Sequence, residues 1–155
     1  MQRYPAVTRA LAKDTLFELG THGYSHKLLS SLPQDSIVFE IEQARRILSR
    51  ETGKRSSIVR APFAVIDSVV MKIADSLGIT MVQYDLASGD PDSAFTKPRL
   101  VQWVNRAVQN GSIIVFHMNG RGVHTAEALP EIIGTLRSRG FHLVKIEEFV
   151  KKKGK

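Results

Sequence analysis

Ser112-Ile113-Ile114-Val115-Phe116-His117 is the stretch that decides the fold. Its four apolar residues follow one another without alternation, the pattern of a strand buried on both faces. Met81-Val82, inside the run Ile79–Asp85, repeats the pattern at shorter length. Strands covered on both faces belong to parallel sheets flanked by helices. Further short β-branched runs at Thr15–Leu19, Ser57–Arg60 and His142–Ile146 bring the expected strands to five.

Four amphipathic helices are expected between these runs. Ile37, Ile41, Ala44 and Leu48 recur at helical spacing, as do Val70, Ile73, Ala74 and Leu77. Leu100, Trp103, Val104, Ala107 and Val108 form a third stripe, and Leu129, Ile132, Ile133 and Leu136 a fourth. Gly53, Gly78, Gly111 and Gly140 stop them where the chain turns through αL. Asp67 is placed to cap the second helix, Pro98 to open the third, and Thr125 with Glu127 to open the fourth. A partial helix with Val7 and Leu11 occupies residues 1–14 and leads into the first expected strand. The resulting β-α alternation with short loops is an α/β fold with right-handed crossovers, either an open doubly wound sheet or part of a barrel. No repeat, Pro-rich linker or low-complexity segment divides it, so residues 1–150 read as a single domain followed by a lysine-rich tail at 151–155.

Composition narrows the function classes. The 155 residues contain no cysteine, which excludes a disulfide framework, a Cys-ligated zinc site and a thiol nucleophile. No apolar run reaches the roughly 20 residues of a membrane span, and Met1-Gln2-Arg3-Tyr4-Pro5 does not open a signal peptide. The net charge of +7 points first to a nucleic-acid partner. Four of those positive charges lie in Lys151-Lys152-Lys153-Gly154-Lys155, and no basic cluster interleaved with aromatics occurs elsewhere. The excess therefore reads as a solvated end rather than a nucleic-acid surface. Nothing in the sequence assigns an oligomeric state or a compartment.

In parallel α/β folds the reactive groups gather where loops leave the carboxyl ends of strands. Gly20-Thr21-His22-Gly23-Tyr24-Ser25-His26 follows the first expected strand, Arg60-Ala61-Pro62-Phe63 the second, Tyr84 to Asp92 the third and His117-Met118-Asn119-Gly120 the fourth. His22 and His26 have the i, i+4 spacing of two metal ligands, which a surface pair shares. Zinc takes a third His or carboxylate and leaves a place for water, the chemistry of amide or ester hydrolysis. Arg60 is either a surface residue at a strand exit or a fork that orients a carboxylate. His117 is either a core histidine or, with an Asp partner, a general acid near neutral pH. Asp90 either serves its Ser-Gly-Asp-Pro turn or fixes the tautomer of His117. His124 reads as a capping or packing residue ahead of a chemical one.

In this order the motifs resemble the NodB-type polysaccharide deacetylases, carbohydrate esterase family 4. Glu18 to His26 is similar to that family's His-Ser/Thr-x-x-His metal motif, and Arg60-Ala61-Pro62-Phe63 to its Arg-Pro-Pro-Tyr motif. Tyr84 to Asp90 is similar to the Asp-x-x-Asp-Trp region, and Ile114-Val115-Phe116-His117 to Leu-x-Leu-His. The resemblance spans about residues 6–150. It implies a NodB-type (β/α) barrel that removes N-acetyl groups from an amino-sugar polymer such as chitin or peptidoglycan. It further implies a divalent metal, zinc by preference, on His22 and His26, and His117 as the acid for the departing amine. Asp90 then partners His117, Arg60 holds the catalytic base, and the Phe63 amide donates to the oxyanion. Pro91 and Val115 stand where a Trp and a pocket-lining Leu are usual. Nothing in the sequence matches the family's first motif, Thr-Phe-Asp-Asp, which supplies the base and the third metal ligand. The expectation is an incomplete barrel lacking its first strand, with Asp85 or Asp14 as the carboxylates available to stand in. The alternative is a catalytically inactive saccharide-binding domain on the same scaffold.

Overall fold

The computed structural model describes residues 4–153. Two compact units divide it: one runs up to Gln83 and resumes at Lys145, and the other is Tyr84–Val144.

In the first unit, α1 (Pro5–Lys13) and α2 (Gln34–Thr52) precede β1 (Ile58–Val59), α3 (Ser68–Ser76) and β2 (Thr80–Met81). β1 and β2 pair in parallel, Ile58 opposite Thr80 and Val59 opposite Met81. A single parallel bridge joins Thr21 to Val59. Ile37, Ile41, Val59, Val70, Ile73 and Ala74 form the core, so the stripes expected on the first two amphipathic helices are the buried ones. Gly53 ends α2 at φ 73°, in the left-handed region. Asp67 caps α3 by accepting from the Val70 N–H at 2.8 Å.

In the second unit, β3 (Leu86–Ala87) and β4 (Ile114–Val115) pair in parallel, with α4 (Lys97–Ala107) and α5 (Thr125–Ser138) packed on Leu86 through Leu100, Val104, Ala128, Ile132 and Leu136. Two details differ from the sequence reading. Trp103 is 43% exposed, and Val101 takes the buried place. The indole N–H instead reaches the Ala87 carbonyl at 2.9 Å, the polar end that keeps a Trp at a boundary. Thr125 opens α5 but does not cap it, because its hydroxyl is engaged by Asp90.

Three expected strands are corrected. Thr15–Leu19 is no strand: Asp14 folds the chain into a turn by accepting the Leu16 N–H on its side chain (2.9 Å) and the Phe17 N–H on its carbonyl (3.3 Å). His142–Ile146 is no strand either; Ile146 begins α6 (Ile146–Lys153), whose Glu147 N–H is taken by the Glu18 carboxylate at 3.0 Å. The run Ile79–Asp85 ends early at Met81, and a second short strand, β3, begins inside the segment read as loop. The lysine-rich end continues α6 through Lys153, while Gly154 and Lys155 lie outside the described residues.

Candidate active site

The first unit presents His22, His26, Arg60 and Phe63. Thr21, next to His22, is locked to β1 by two backbone bonds: its N–H to the Ile58 carbonyl and the Arg60 N–H to its own carbonyl, both 3.0 Å. That register brings the His22 Nδ1 to 2.8 Å from the Arg60 carbonyl. A carbonyl only accepts, so Nδ1 carries the proton and the lone pair of the neutral ring lies on Nε2, the tautomer of a metal ligand. The rings of His22 and His26 stand edge to face with centroids 4.9 Å apart. His26 packs equally against the Phe63 ring, at 4.9 Å.

Backbone strain collects here. His26 (φ 58°), Phe63 (φ 61°) and Ala64 (φ 57°) are the non-glycine residues with positive φ among those described. Each such conformation costs about 1 kcal/mol, and residues held this way cluster at functional sites. Gln83 clamps the second strained segment by donating its side-chain N–H to the Ala64 carbonyl at 2.9 Å. The Arg60 guanidinium makes no hydrogen bond or ion pair among the described residues.

Glu40 was not anticipated from the sequence. It lies on the buried face of α2, three residues after Ile37 and four before Ala44, and is 3% exposed. Its Oε2 accepts the N–H groups of Tyr24 (3.0 Å) and Ser25 (2.7 Å), and its Oε1 accepts the Ser25 hydroxyl. Burial pushes this carboxyl up, but the bonds from Ser25 and Tyr24 and the charge of Lys27 outweigh it and hold the group below the ordinary glutamate value. The signal in the sequence was a Glu at a core position of an amphipathic helix.

The second unit presents His117 and Asp90. Asp90 follows β3 and its side chain is wholly buried. Oδ1 lies 2.8 Å from the His117 Nδ1 and accepts the Ser88 hydroxyl at 2.9 Å. Oδ2 accepts the His117 backbone N–H at 2.6 Å and the Thr125 hydroxyl at 2.7 Å. Burial would raise this carboxyl's pKa, yet the bonds from His117, Thr125 and Ser88 prevail and lower it, so it stays ionised. A carboxylate can only accept, so the His117 Nδ1 is the protonated nitrogen and Nε2 is the outward one on a ring one-third exposed. Gly122 belongs to the same cluster: a Cβ there would meet the Thr125 hydroxyl and the His117 carbonyl and come within 2.7 Å of Asp90 Oδ2. Thr125 and Gly122 become visible as part of this cluster only through the tertiary fold, whereas Ser88 belongs to the same Ser-Gly-Asp-Pro turn as Asp90.

The other expected residues fall as follows. Val115 is buried in β4 and Pro91 is exposed beside Asp90. Asp85 precedes β3 and is engaged at its amino end by the Ser112 hydroxyl (2.7 Å) and the Ile113 N–H (2.5 Å), while Asp14 serves its own turn. His124 is the residue before α5; its side chain makes no cap, and its Nδ1 is 3.8 Å from Glu127. His22 and His26 fit a divalent ion by donor type, and His22 also by tautomer, but catalytic zinc takes three protein ligands. Among the described residues no group of three His, Asp or Glu converges, so the pair offers two of those ligands.

Fold and motifs together define an α/β protein with a histidine pair in one unit and a buried Asp–His dyad in the other. The profile of the polysaccharide deacetylase family matches residues 1–82. The chain belongs to that family. It is 30% identical over 125 residues to chitin deacetylase 1 of Saccharomyces cerevisiae, covering 76% of this chain and 41% of that protein. The solved structure of the peptidoglycan deacetylase PdaC from Bacillus subtilis superposes with TM-score 0.82 at 26% identity, covering 98% of this chain and 73% of that one. A CE4 family pseudoenzyme from Bacillus anthracis shares the fold at TM-score 0.85 and 23% identity, over 95% of this chain and 50% of that one. These neighbours give the fold as that of the NodB-type CE4 deacetylases. Of three curated relatives the chain spans 18%, 30% and 41% of their own length. No helix among the described residues is long and apolar enough to cross a membrane.

Proposed function

We propose that this chain hydrolyses N-acetyl groups of an amino-sugar polymer of the chitin or peptidoglycan kind, with a divalent ion, zinc by donor type, as its cofactor. The observation that carries this reading is the wholly buried Asp90 carboxylate bonded to His117 at 2.8 Å. Amide hydrolysis needs such a group, because an amide nitrogen leaves only when protonated. Water adds to the acetyl carbon and gives up its protons to solvent, the C–N bond breaks, and the imidazolium of His117 delivers a proton from Nε2 to the nitrogen, releasing acetate and an amine. Asp90 stays ionised throughout and keeps the ring oriented by its bond to Nδ1–H. The Phe63 N–H is the proposed oxyanion donor, held by the strained turn that Gln83 clamps. His22 and His26 contribute two ligands to the ion, and Arg60 is the group available to orient a carboxylate. Pro91 and Val115 are proposed to shape the acetyl site. The names of the relatives, a chitin deacetylase and peptidoglycan deacetylases, support the substrate class.

The test is acetate release from N-acetylglucosamine oligomers by the full chain, with bound metal measured on the same sample. Release that His117→Ala abolishes supports the proposal. Oligomer binding without acetate from the unaltered chain overturns it in favour of a saccharide-binding domain on the same scaffold.

A further inference from the structure

His22 and His26 are four residues apart, yet the loop between them is not helical, so the spacing alone does not bring their rings together. Something outside the loop must hold it. Gly23 sits at φ 73°, and a Cβ there would lie 3.3 Å from Pro62 Cγ and 3.6 Å from Glu40 Oε2. The loop is thus pressed against α2 at a point where it has no side chain to fasten itself. The next two residues, Tyr24 and Ser25, give their N–H groups to Glu40, and Ser25 adds its hydroxyl. One residue further, His26 is held at φ 58°.

Buried carboxylates normally meet a cation or a helix end. Glu40 spends its bonds instead on the two residues midway between the imidazoles. We infer that Glu40 is the positioning residue of the histidine pair: by fixing the amides of Tyr24 and Ser25 it keeps His26 in its left-handed conformation and its ring against His22. Without that grip His26 relaxes to negative φ and the rings separate. The inference takes its functional meaning from the proposed hydrolase, although the geometry it concerns exists independently of that reading. Groups that orient metal-binding imidazoles from outside alter affinity by about 10–100-fold when removed.

The experiment measures the nuclear Overhauser effect between the His22 and His26 ring protons in the labelled full chain, with zinc affinity measured by calorimetry alongside. In Glu40→Ala the inter-ring signal is expected to vanish while the amide shifts of Ser68–Ser76 stay in place, and any zinc affinity of the unaltered chain falls at least about tenfold. Glu40→Gln keeps one oxygen toward the two amides, and the Ser25 hydroxyl can rotate to accept from the new NH2; this variant is expected to retain the signal. Should Glu40→Ala not fold, Glu40→Asp serves instead, since its shorter arm should lose the signal in a folded chain. A full-strength signal in folded Glu40→Ala or Glu40→Asp overturns the inference. So does unfolding of both, because Glu40 would then hold the fold rather than the pair. Failure of the functional reading looks different: no zinc uptake and no acetate release from the unaltered chain, with the ring signal still dependent on Glu40.

Discussion

Replacing Asp90 with Asn removes a buried charge while keeping the shape, and the structure fixes how the new amide must sit. Two donors meet each carboxylate oxygen: the His117 N–H and the Thr125 hydroxyl at Oδ2, the His117 Nδ1 and the Ser88 hydroxyl at Oδ1. Hydroxyls can rotate to accept, but a backbone N–H cannot. The amide oxygen must therefore remain at the Oδ2 place and the NH2 must face His117 Nδ1. The neutral ring can satisfy it only by moving its proton to Nε2. Four charge-assisted bonds become neutral ones, each weaker by about 1 kcal/mol, and relief from burying a charge returns part of that. A net loss of about 2 kcal/mol is expected, or about 4–8 °C in melting temperature. Long-range nitrogen–proton spectra at a pH where the ring is neutral should show Nδ1–H in the unaltered chain and Nε2–H in Asp90→Asn. Acetate release, where present, should fall by about 100-fold or more. A ring that keeps its Nδ1 proton in the variant, or a melting temperature left unchanged, would refute the reasoning.

Gly122→Ala drives a methyl into the Thr125 hydroxyl, the His117 carbonyl and Asp90 Oδ2, and is expected to destabilise by about 1–3 kcal/mol with shifted His117 resonances, read by melting and by NMR. Asp67→Ala removes the cap bond to Val70 N–H and should lower stability by about 1 kcal/mol in urea unfolding, without moving the imidazole signals of either unit. Asp90 and Glu40 both lie below their ordinary values because their hydrogen bonds overcome burial. Their contribution is therefore complete above the unfolded range, about pH 4, and is lost as pH falls through the depressed values. The urea midpoint should drop steeply below about pH 4, less so in Asp90→Asn; a midpoint flat across that region would contradict the assignment.

The helices were legible because their signals are local. Apolar stripes at 3.6-residue spacing mark α2 to α5, Gly53, Gly78 and Gly140 stand at the ends of α2, α3 and α5, and Asp67 caps where its position says it should; α4 instead ends at Ala107 with Val108 extended, short of Gly111. Strands were less legible because a strand is a property of a pair. Thr15–Leu19 has the composition of one, but its Asp14 offers a closer partner to the Leu16 and Phe17 amides. β3 is two residues long and sits among turn formers, so only its ladder with β4 reveals it. The candidate site divides the same way. His22, His26, Arg60, Asp90 and His117 stand out as polar residues in the segments that follow apolar runs. Glu40 and Thr125 act through contacts 15 to 35 residues away and Gly122 through a space too small for a methyl, neither of which a linear reading contains, whereas Ser88 bonds Asp90 within its own turn.

The two units answer one physical problem in the same way. An imidazole on a loop samples several orientations, and a carboxylate that fixes it must itself be fixed. Asp90 and Glu40 are both ionised though buried, and each draws part of its stabilisation from backbone N–H groups of the very segment that bears the histidine: His117 in one unit, Tyr24 and Ser25 in the other. A bond to the backbone sets where the segment runs, and a bond to the side chain sets how the ring turns. Asp90 makes both kinds to His117, so it controls position and tautomer together. Glu40 bonds the backbone at Tyr24 and Ser25, while the His22 tautomer is set separately by the Arg60 carbonyl. It follows that Asp90→Asn should change the protonation pattern of its ring, whereas Glu40→Ala should move rings without changing which nitrogen of His22 bears the proton.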